Sequence, residues 1–350
     1  MTVTVITVTV KNDVLADRLL AVLRSATGSS ALAYASDPVP LTGGFWAELF
    51  AFSLAHPPDG WPHDLIARVM PDATTARKET LIQRAVAAAG FPTPVVRAAG
   101  GPDDGLGRAF MVMDRAPGVP LLSGLSLTGV LGRGPGLLTE IPGLLASAMA
   151  RLHALDPEPV RRDLEAAGIA STSVGSMLAL RREYASEFGR PDLARAAQWL
   201  IDHPARPAPH VICHGDVHPF NVLRDGARVT VLDWSTALLA PRPYDVAFTS
   251  LALSEPALDV PGWLRSPVRL LGRRLAGRFV RCYQASAGVA IDRTDLAWYQ
   301  AVACLRTLVE MSGWVHSAQL DAHAGHPWLA VGPAFAARLT ATTGVAITPR

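Results

Sequence analysis

Residues 211–234 read VICHGDVHPFNVLRDGARVTVLDW. Val211-Ile212-Cys213 is a short apolar run of the kind that forms a buried strand. His214-Gly215-Asp216 turns away from it. Asn221-Val222-Leu223 begins a second strand, Asp225-Gly226 is a hairpin signal, and Val229-Thr230-Val231-Leu232 is the return strand. A hairpin folded this way carries Asp233 back beside Asn221, with Asp216 next to both.

Asp216 and Asn221 are separated by four residues, and Asp233 follows at the end of the apolar run. The spacing is close to that of a kinase catalytic loop followed by its metal-binding aspartate. Phosphoryl transfer asks for in-line positioning and for cations to neutralise phosphate oxygens, with little covalent chemistry from the protein. Asn221 and Asp233 offer hard oxygen ligands, which suit Mg²⁺. Asp216 is left to accept or orient the proton of an attacking hydroxyl. His214 reads as a packing and hydrogen-bonding support.

The segment resembles the aminoglycoside phosphotransferase-like family, which includes macrolide, choline and homoserine kinases. Its HGD-x4-N loop and following Asp match the family pattern. Pro243-Tyr244-Asp245-Val246-Ala247 resembles the segment after the metal aspartate. There the resemblance implies that Asp245 braces the catalytic loop; an ordinary helix N-cap is the plainer reading. Leu152-His153-Ala154-Leu155 resembles the end of the helix that precedes the loop, with His153 structural. Leu41-Thr42-Gly43-Gly44-Phe45 resembles the glycine turn between the first two strands, whose backbone N–H groups approach phosphates. Arg68, in the strand Leu65-Ile66-Ala67-Arg68-Val69, sits where kinases place the phosphate-holding lysine. Glu79 on the next helix is its implied partner; a solvated surface pair is the alternative. Ala109 to Asp114 resembles the hinge strand, so the backbone from Met113 through Asp114 to Ala116 would meet the nucleobase. The resemblance covers roughly residues 40 to 250.

The fold it implies is α+β and bilobal, protein-kinase-like, with a small mainly β N-lobe and a larger mainly α C-lobe. Residues 1–115 would form the nucleotide-binding lobe, with 1–37 an extension containing a helix. Residues 116–350 would form the catalytic and substrate-binding lobe. The implied activity moves the γ-phosphate of ATP or GTP, with Mg²⁺, to a hydroxyl of a metabolite or antibiotic. One departure stands out: the only lysines are Lys11 and Lys78, so Arg68 must serve in the strand. Its planar fork and permanent charge are not a simple lysine replacement.

With 350 residues, 49% hydrophobic and 18% charged, the chain can bury two cores. A net charge of +2 and the lack of a dense basic block argue against nucleic acid. No run has the length and apolarity of a membrane span. Met1 to Val10, near-alternating Thr and Val, is not a secretory signal and reads as an edge strand or a tail. Three cysteines in apolar surroundings (Cys213, Cys282, Cys304) read as free thiols of a reducing, cytoplasmic compartment. The oligomeric state stays open.

Helical periodicity marks 13–24, capped by Asn12 or Asp13, then 141–155, much of 160–203, and most of the chain from Tyr244 to about Leu320. Pro256, Pro261 and Pro267 mark breaks. From Leu251 onward ten arginines stand against six acids. A site for polycationic aminoglycosides should be rich in carboxylates, so a typical aminoglycoside is disfavoured. An anionic acceptor is open. Trp263, Trp298, Tyr299, Trp314 and Trp328 read mostly as core.

Three rival readings remain. His203, His210, His214 and His218 with Asp216 suggest a metal-dependent hydrolase. Arg68 allows a non-catalytic nucleotide-binding protein. Some kinase-like folds move a nucleotidyl group instead of phosphate.

Overall fold

The computed structural model describes residues 2–41, 47–122, 134–169, 173–256, 262–323 and 326–349. Gly43 and Gly44 lie outside the described residues. The chain divides into two compact units, residues 1–118 and 119–350.

The first unit begins with helix α1 (Thr2–Thr27). The Thr/Val alternation therefore does not make a strand, and Asn12 and Asp13 lie inside the helix, not at its cap. A turn adds cheaply to a helix already nucleated. The nucleus here is the amphipathic stretch whose Leu19 and Leu23 are buried in the core. Five strands follow: β1 (Tyr34–Leu41), β2 (Glu48–Leu54), β3 (Asp64–Met70), β4 (Val96–Gly100) and β5 (Ala109–Asp114). They form one antiparallel sheet in the order β1-β2-β3-β5-β4. Helix α2 (Ala73–Ala88) lies between β3 and β4 in sequence and is capped by Asp72, which accepts the N–H groups of Thr74 and Thr75.

Strand alternation decides what Arg68 faces. Leu65, Ala67 and Val69 join Phe50, Phe52, Phe110, Val112 and the α1 leucines in one cluster. Met70 and Met111 join Ala76 of α2 in a second cluster. Arg68 is in register with Met111 and so points to the α2 side.

The second unit is mainly helical. A short strand β6 (Val119–Pro120) pairs with β8 (Val222–Asp225), which pairs with β9 (Arg228–Val231). A separate antiparallel ladder joins β7 (His210–Cys213) to β10 (Leu238–Pro241). Helices α3 (Gly134–His153), α4 (Glu158–Ala166), α5 (Val174–Glu187) and α6 (Pro191–Asp202) precede β7. Helices α7 (Pro243–Ser254), α8 (Gly262–Ala287), α9 (Arg293–His316) and α10 (Pro327–Thr343) follow β10. Pro267 lies inside α8 and does not break it. Helix α10 runs past the expected helical limit; His326 starts it by accepting Trp328 N–H on its ring.

Leu193, Leu200, Val211, Cys213, Phe248, Leu251, Leu305 and Leu308 belong to one large core. Trp298 and Trp314 are buried, whereas Trp263 is 77% exposed. Among the described residues no helix is long and apolar enough to cross a membrane.

Candidate active site

The β7–β10 ladder sets Cys213 opposite Leu238, so the chain leaving β7 and the chain entering β10 are held side by side. Between them the β8–β9 hairpin turns at Gly226, whose φ is +58°. Leu232 N–H donates to Asn221 O at 2.8 Å, so Asn221 lies across from the residue before Asp233. The Asn221 side-chain amide donates to Asp216 twice, to Oδ2 at 3.0 Å and to the backbone oxygen at 3.1 Å. His218 Nε2 lies 3.6 Å from the same Oδ2. Among the described residues Asp216 Oδ1 accepts no hydrogen bond. Asp233 adopts φ +64°, a backbone region that favours glycine. Such strain clusters where surroundings dictate a side-chain direction. Its Oδ1 accepts the Ser235 hydroxyl at 2.8 Å.

Asp245 holds the loop from beneath. Its carboxylate accepts Gly215 N–H at 2.6 Å, His214 N–H at 2.8 Å and His153 Nε2–H at 3.1 Å. Asp245 thus spends its oxygens on the loop and not on capping α7, whose cap position makes no side-chain bond. Burial alone would raise this carboxyl's pKa; the His153 bond and charge and the His214 amide outweigh it and hold it low. His153 Nδ1 takes the Tyr283 hydroxyl at 2.7 Å, which fixes the imidazole between two partners. Gly215 is needed where it stands: its φ is +80°, and a Cβ there would meet Thr236 O at 2.7 Å.

His214 is fully enclosed. Its Nδ1 accepts Asp216 N–H at 3.3 Å and its Nε2–H donates to Leu232 O at 2.9 Å, the pattern of a neutral ring. Burial pushes its pKa down, against the pull of Asp245, Asp216 and Asp233. His326 is likewise held down to about 4, by burial and by His323, with Asp216 opposing. Both folded values lie below the ordinary 6.5, so the unfolded chain takes up these protons first as pH falls. Their contribution is full above 6.5 and is lost as pH drops below it, for His326 toward about 4. Urea midpoints should therefore fall between neutral pH and about pH 5. His326→Asn, which keeps an acceptor at the cap, should make the decline shallower. Equal midpoints at the two pH values would exclude this.

The four histidines that suggested a hydrolase do not converge. His203 is exposed and stacks on Trp199 with centroids 4.4 Å apart, and His210 is exposed on β7. Among the described residues the one set with metal-ligand proximity is His153, Cys213 and Asp245. Both ring nitrogens of His153 are already engaged, and burial pushes the Cys213 thiol up, away from the thiolate a metal requires.

In the first unit, Arg68 Nε lies 3.4 Å from Glu79 Oε1, with side chains 6% and 1% exposed. This is a buried pair and not a solvated one. At the end of β5 the Asp114 carboxylate is clamped by Arg97, through Nε at 2.6 Å and Nη2 at 2.9 Å. The Asp114 and Arg115 N–H groups donate to Val95 and Asp64. Ala116 N–H makes no such bond among the described residues. Met113 sulfur accepts from the Gln83 amide at 3.5 Å.

Two residues near Asp216 were not singled out by the motif: His218, and Arg306 from α9. The guanidinium of Arg306 lies 4.9 Å over the Phe248 ring. A signal for His218 existed in its place two residues after Asp216; none existed for Arg306.

A strained aspartate, a carboxylate oriented by an asparagine, and a loop held by a buried Asp–His pair all fall within the second unit. The chain belongs to the APH phosphotransferase enzyme family, whose model matches residues 53–264. An aminoglycoside phosphotransferase homologue from Ralstonia eutropha superposes with a TM-score of 0.64 at 19% identity, covering 94% of this chain and 97% of that one. A choline/ethanolamine kinase family protein from Mesorhizobium loti gives 0.54 at 17% identity, covering 94% and 99%. A thermostable mutant of aminoglycoside phosphotransferase APH(4)-Ia, in a ternary complex with ADP and hygromycin B, gives 0.57 at 19%, covering 93% and 98%. At these identities the likeness establishes the kinase-like α+β fold. Acyl-CoA dehydrogenase family member 10 of Mus musculus is 25% identical over 258 residues, or 70% of this chain. The chain spans 23% of that protein's length.

Proposed function

We propose that this protein is a Mg²⁺-dependent small-molecule kinase that moves the γ-phosphate of ATP or GTP to an acceptor hydroxyl. The observation that carries the reading is the orientation of Asp216. Asn221 and His218 both engage Oδ2, and Oδ1 is left to receive a proton. The acceptor oxygen bonds to the γ-phosphorus as the bond from that phosphorus to the bridging oxygen breaks. The nucleoside diphosphate leaves, and the acceptor proton passes to Asp216.

The Asn221 amide nitrogen is engaged by Asp216, so its carbonyl oxygen, together with the Asp233 carboxylate, would hold the metal. Two oxygen donors of this kind fit Mg²⁺, which would neutralise phosphate charge. Residues 1–115 would hold the nucleotide. There Arg68, fixed by Glu79, would pair with its phosphates, Gly43 and Gly44 would approach them, and the backbone from Met113 through Asp114 to Ala116 would meet the base. Residues 116–350 would carry catalysis and the acceptor. The APH(4)-Ia structure in complex with ADP and hygromycin B supports a nucleotide and a small-molecule acceptor. Three buried or half-buried thiols are in keeping with a cytoplasmic setting.

The test is nucleoside diphosphate release with Mg²⁺-ATP or Mg²⁺-GTP across a panel of hydroxylated metabolites and antibiotics. Acceptor-dependent release is expected, and Asp233→Ala should abolish it. Release of pyrophosphate would instead indicate nucleotidyl transfer, and no release with any acceptor would overturn the reading.

A further inference from the structure

Arg306 is an unusual arginine. It lies in α9 and is 5% exposed. Its Nη1 donates to the Tyr244 hydroxyl at 3.2 Å. Its Nε and Nη2 have no hydrogen-bond partner among the described residues. A buried, charged donor left unmet is costly, so a fold keeps one where something else meets it.

The unmet atoms form one particular edge. Nε–H and one Nη2–H point the same way and together match the two oxygens of a carboxylate. Elsewhere this chain uses that edge for that purpose. Arg97 grips Asp114 with it at 2.6 and 2.9 Å, and Arg190 grips Asp192 at 3.0 and 2.8 Å. Exposed Arg206 holds Asp295 with it at 3.2 and 2.8 Å. Arg306 has the same edge, buried, with no protein carboxylate on it among the described residues.

Glu310, one turn along α9, does not fill that role, as no ion pair joins the two among the described residues. Burial also pushes the Glu310 carboxyl up, which favours its neutral form. Arg181 of α5 interacts electrostatically with both, and its Nε is unpartnered as well. Two guanidinium groups thus share Glu310, and the Asp216 charge also acts on Arg306.

The place matches the chemistry. Asp216 Oδ2 lies 3.6 Å from His218, the His218 ring is 6.5 Å from that of Phe248, and Phe248 carries the Arg306 guanidinium at 4.9 Å. All belong to the second unit. We propose that the Nε/Nη2 edge of Arg306 receives a carboxylate of the acceptor, so that the substrate is a hydroxy acid whose hydroxyl is presented to Asp216. The assignment rests on the kinase reading above and narrows its substrate class.

The experiment pairs kinetics with direct binding. Hydroxy acids of graded chain length are compared with their hydroxy amides and with amino alcohols, using wild type, Arg306→Gln and Arg306→Lys. Calorimetric titration of the same compounds is run without nucleotide. Wild type should favour the acid over its amide by about 10–100-fold in KM, the value of a charge-assisted fork. Arg306→Gln should erase that preference. Arg306→Lys keeps the charge beside Tyr244 and Phe248 but not the fork, and should retain part of it; it also serves if Arg306→Gln does not fold. Transfer to neutral or cationic acceptors but not to acids would leave the kinase reading standing and overturn this one. Acid binding that Arg306→Gln abolishes, with no transfer to any acceptor, would uphold the carboxylate site and fault the kinase reading. Wild type that neither binds nor phosphorylates any hydroxy acid in the series overturns the inference.

Discussion

Asp216→Asn should lower kcat by about 10²–10⁴-fold and leave nucleotide KM nearly unchanged. The substitution keeps the size of the side chain and an oxygen for Asn221 to donate to, so the loop geometry described above is preserved. What it removes is the capacity of the second oxygen to take a proton from the acceptor. A group that acts only as the hydroxyl reacts should appear in kcat and not in ground-state nucleotide binding. Steady-state kinetics on the purified variant, with nucleotide affinity measured separately, decide the matter. Activity within a few-fold of wild type would remove Asp216 from the role assigned to it.

The second large effect is on stability. Asp245→Ala should lower unfolding free energy by about 3–5 kcal/mol, the usual result of breaking a buried charged network. The carboxylate accepts Gly215 N–H, His214 N–H and His153 Nε2–H, and the last of these has only the weak Cys213 sulfur, 3.9 Å away, as another described partner. Each orphaned buried donor costs about 1–3 kcal/mol. Total stabilities of about 5–15 kcal/mol make this a major fraction. The sign with pH follows from the lowered pKa: the contribution is present above the ordinary 3.8 and is lost as pH falls below it. Urea titration at neutral pH measures the effect, and a loss under about 1 kcal/mol would show that the network is replaceable.

Much of the central segment could be read directly because its chemistry is local. Asp216, Asn221 and Asp233 fall on a strand–turn–hairpin whose geometry follows from the apolar runs and the Asp225-Gly226 turn. The Arg68–Glu79 pair was implied by the family resemblance, but its burial could not be read from the sequence. Burial depends on which sheet face α2 covers, and only the packed sheet fixes that. Arg306 was one of ten arginines in a basic stretch until α7 and α9 packed and placed it against Tyr244 and Phe248. Residues 2–10 misled for a related reason: β-branched alternation favours strand locally, and the neighbouring amphipathic helix overrides it. Pro267 was read as a breaker, yet α8 runs through it.

The β7–β10 ladder has a consequence for how the enzyme breathes. It joins the two ends of residues 214–237, with Thr236 pinning the near side from within the ring and Asp245 from outside it. Opening any part of the ring means unzipping the ladder or the pins. Its amides should therefore behave as a single cooperative foldon instead of a loop that frays residue by residue. The hairpin tip at Gly226, remote from those pins, is where an inserted sequence would be tolerated with least effect on the ring.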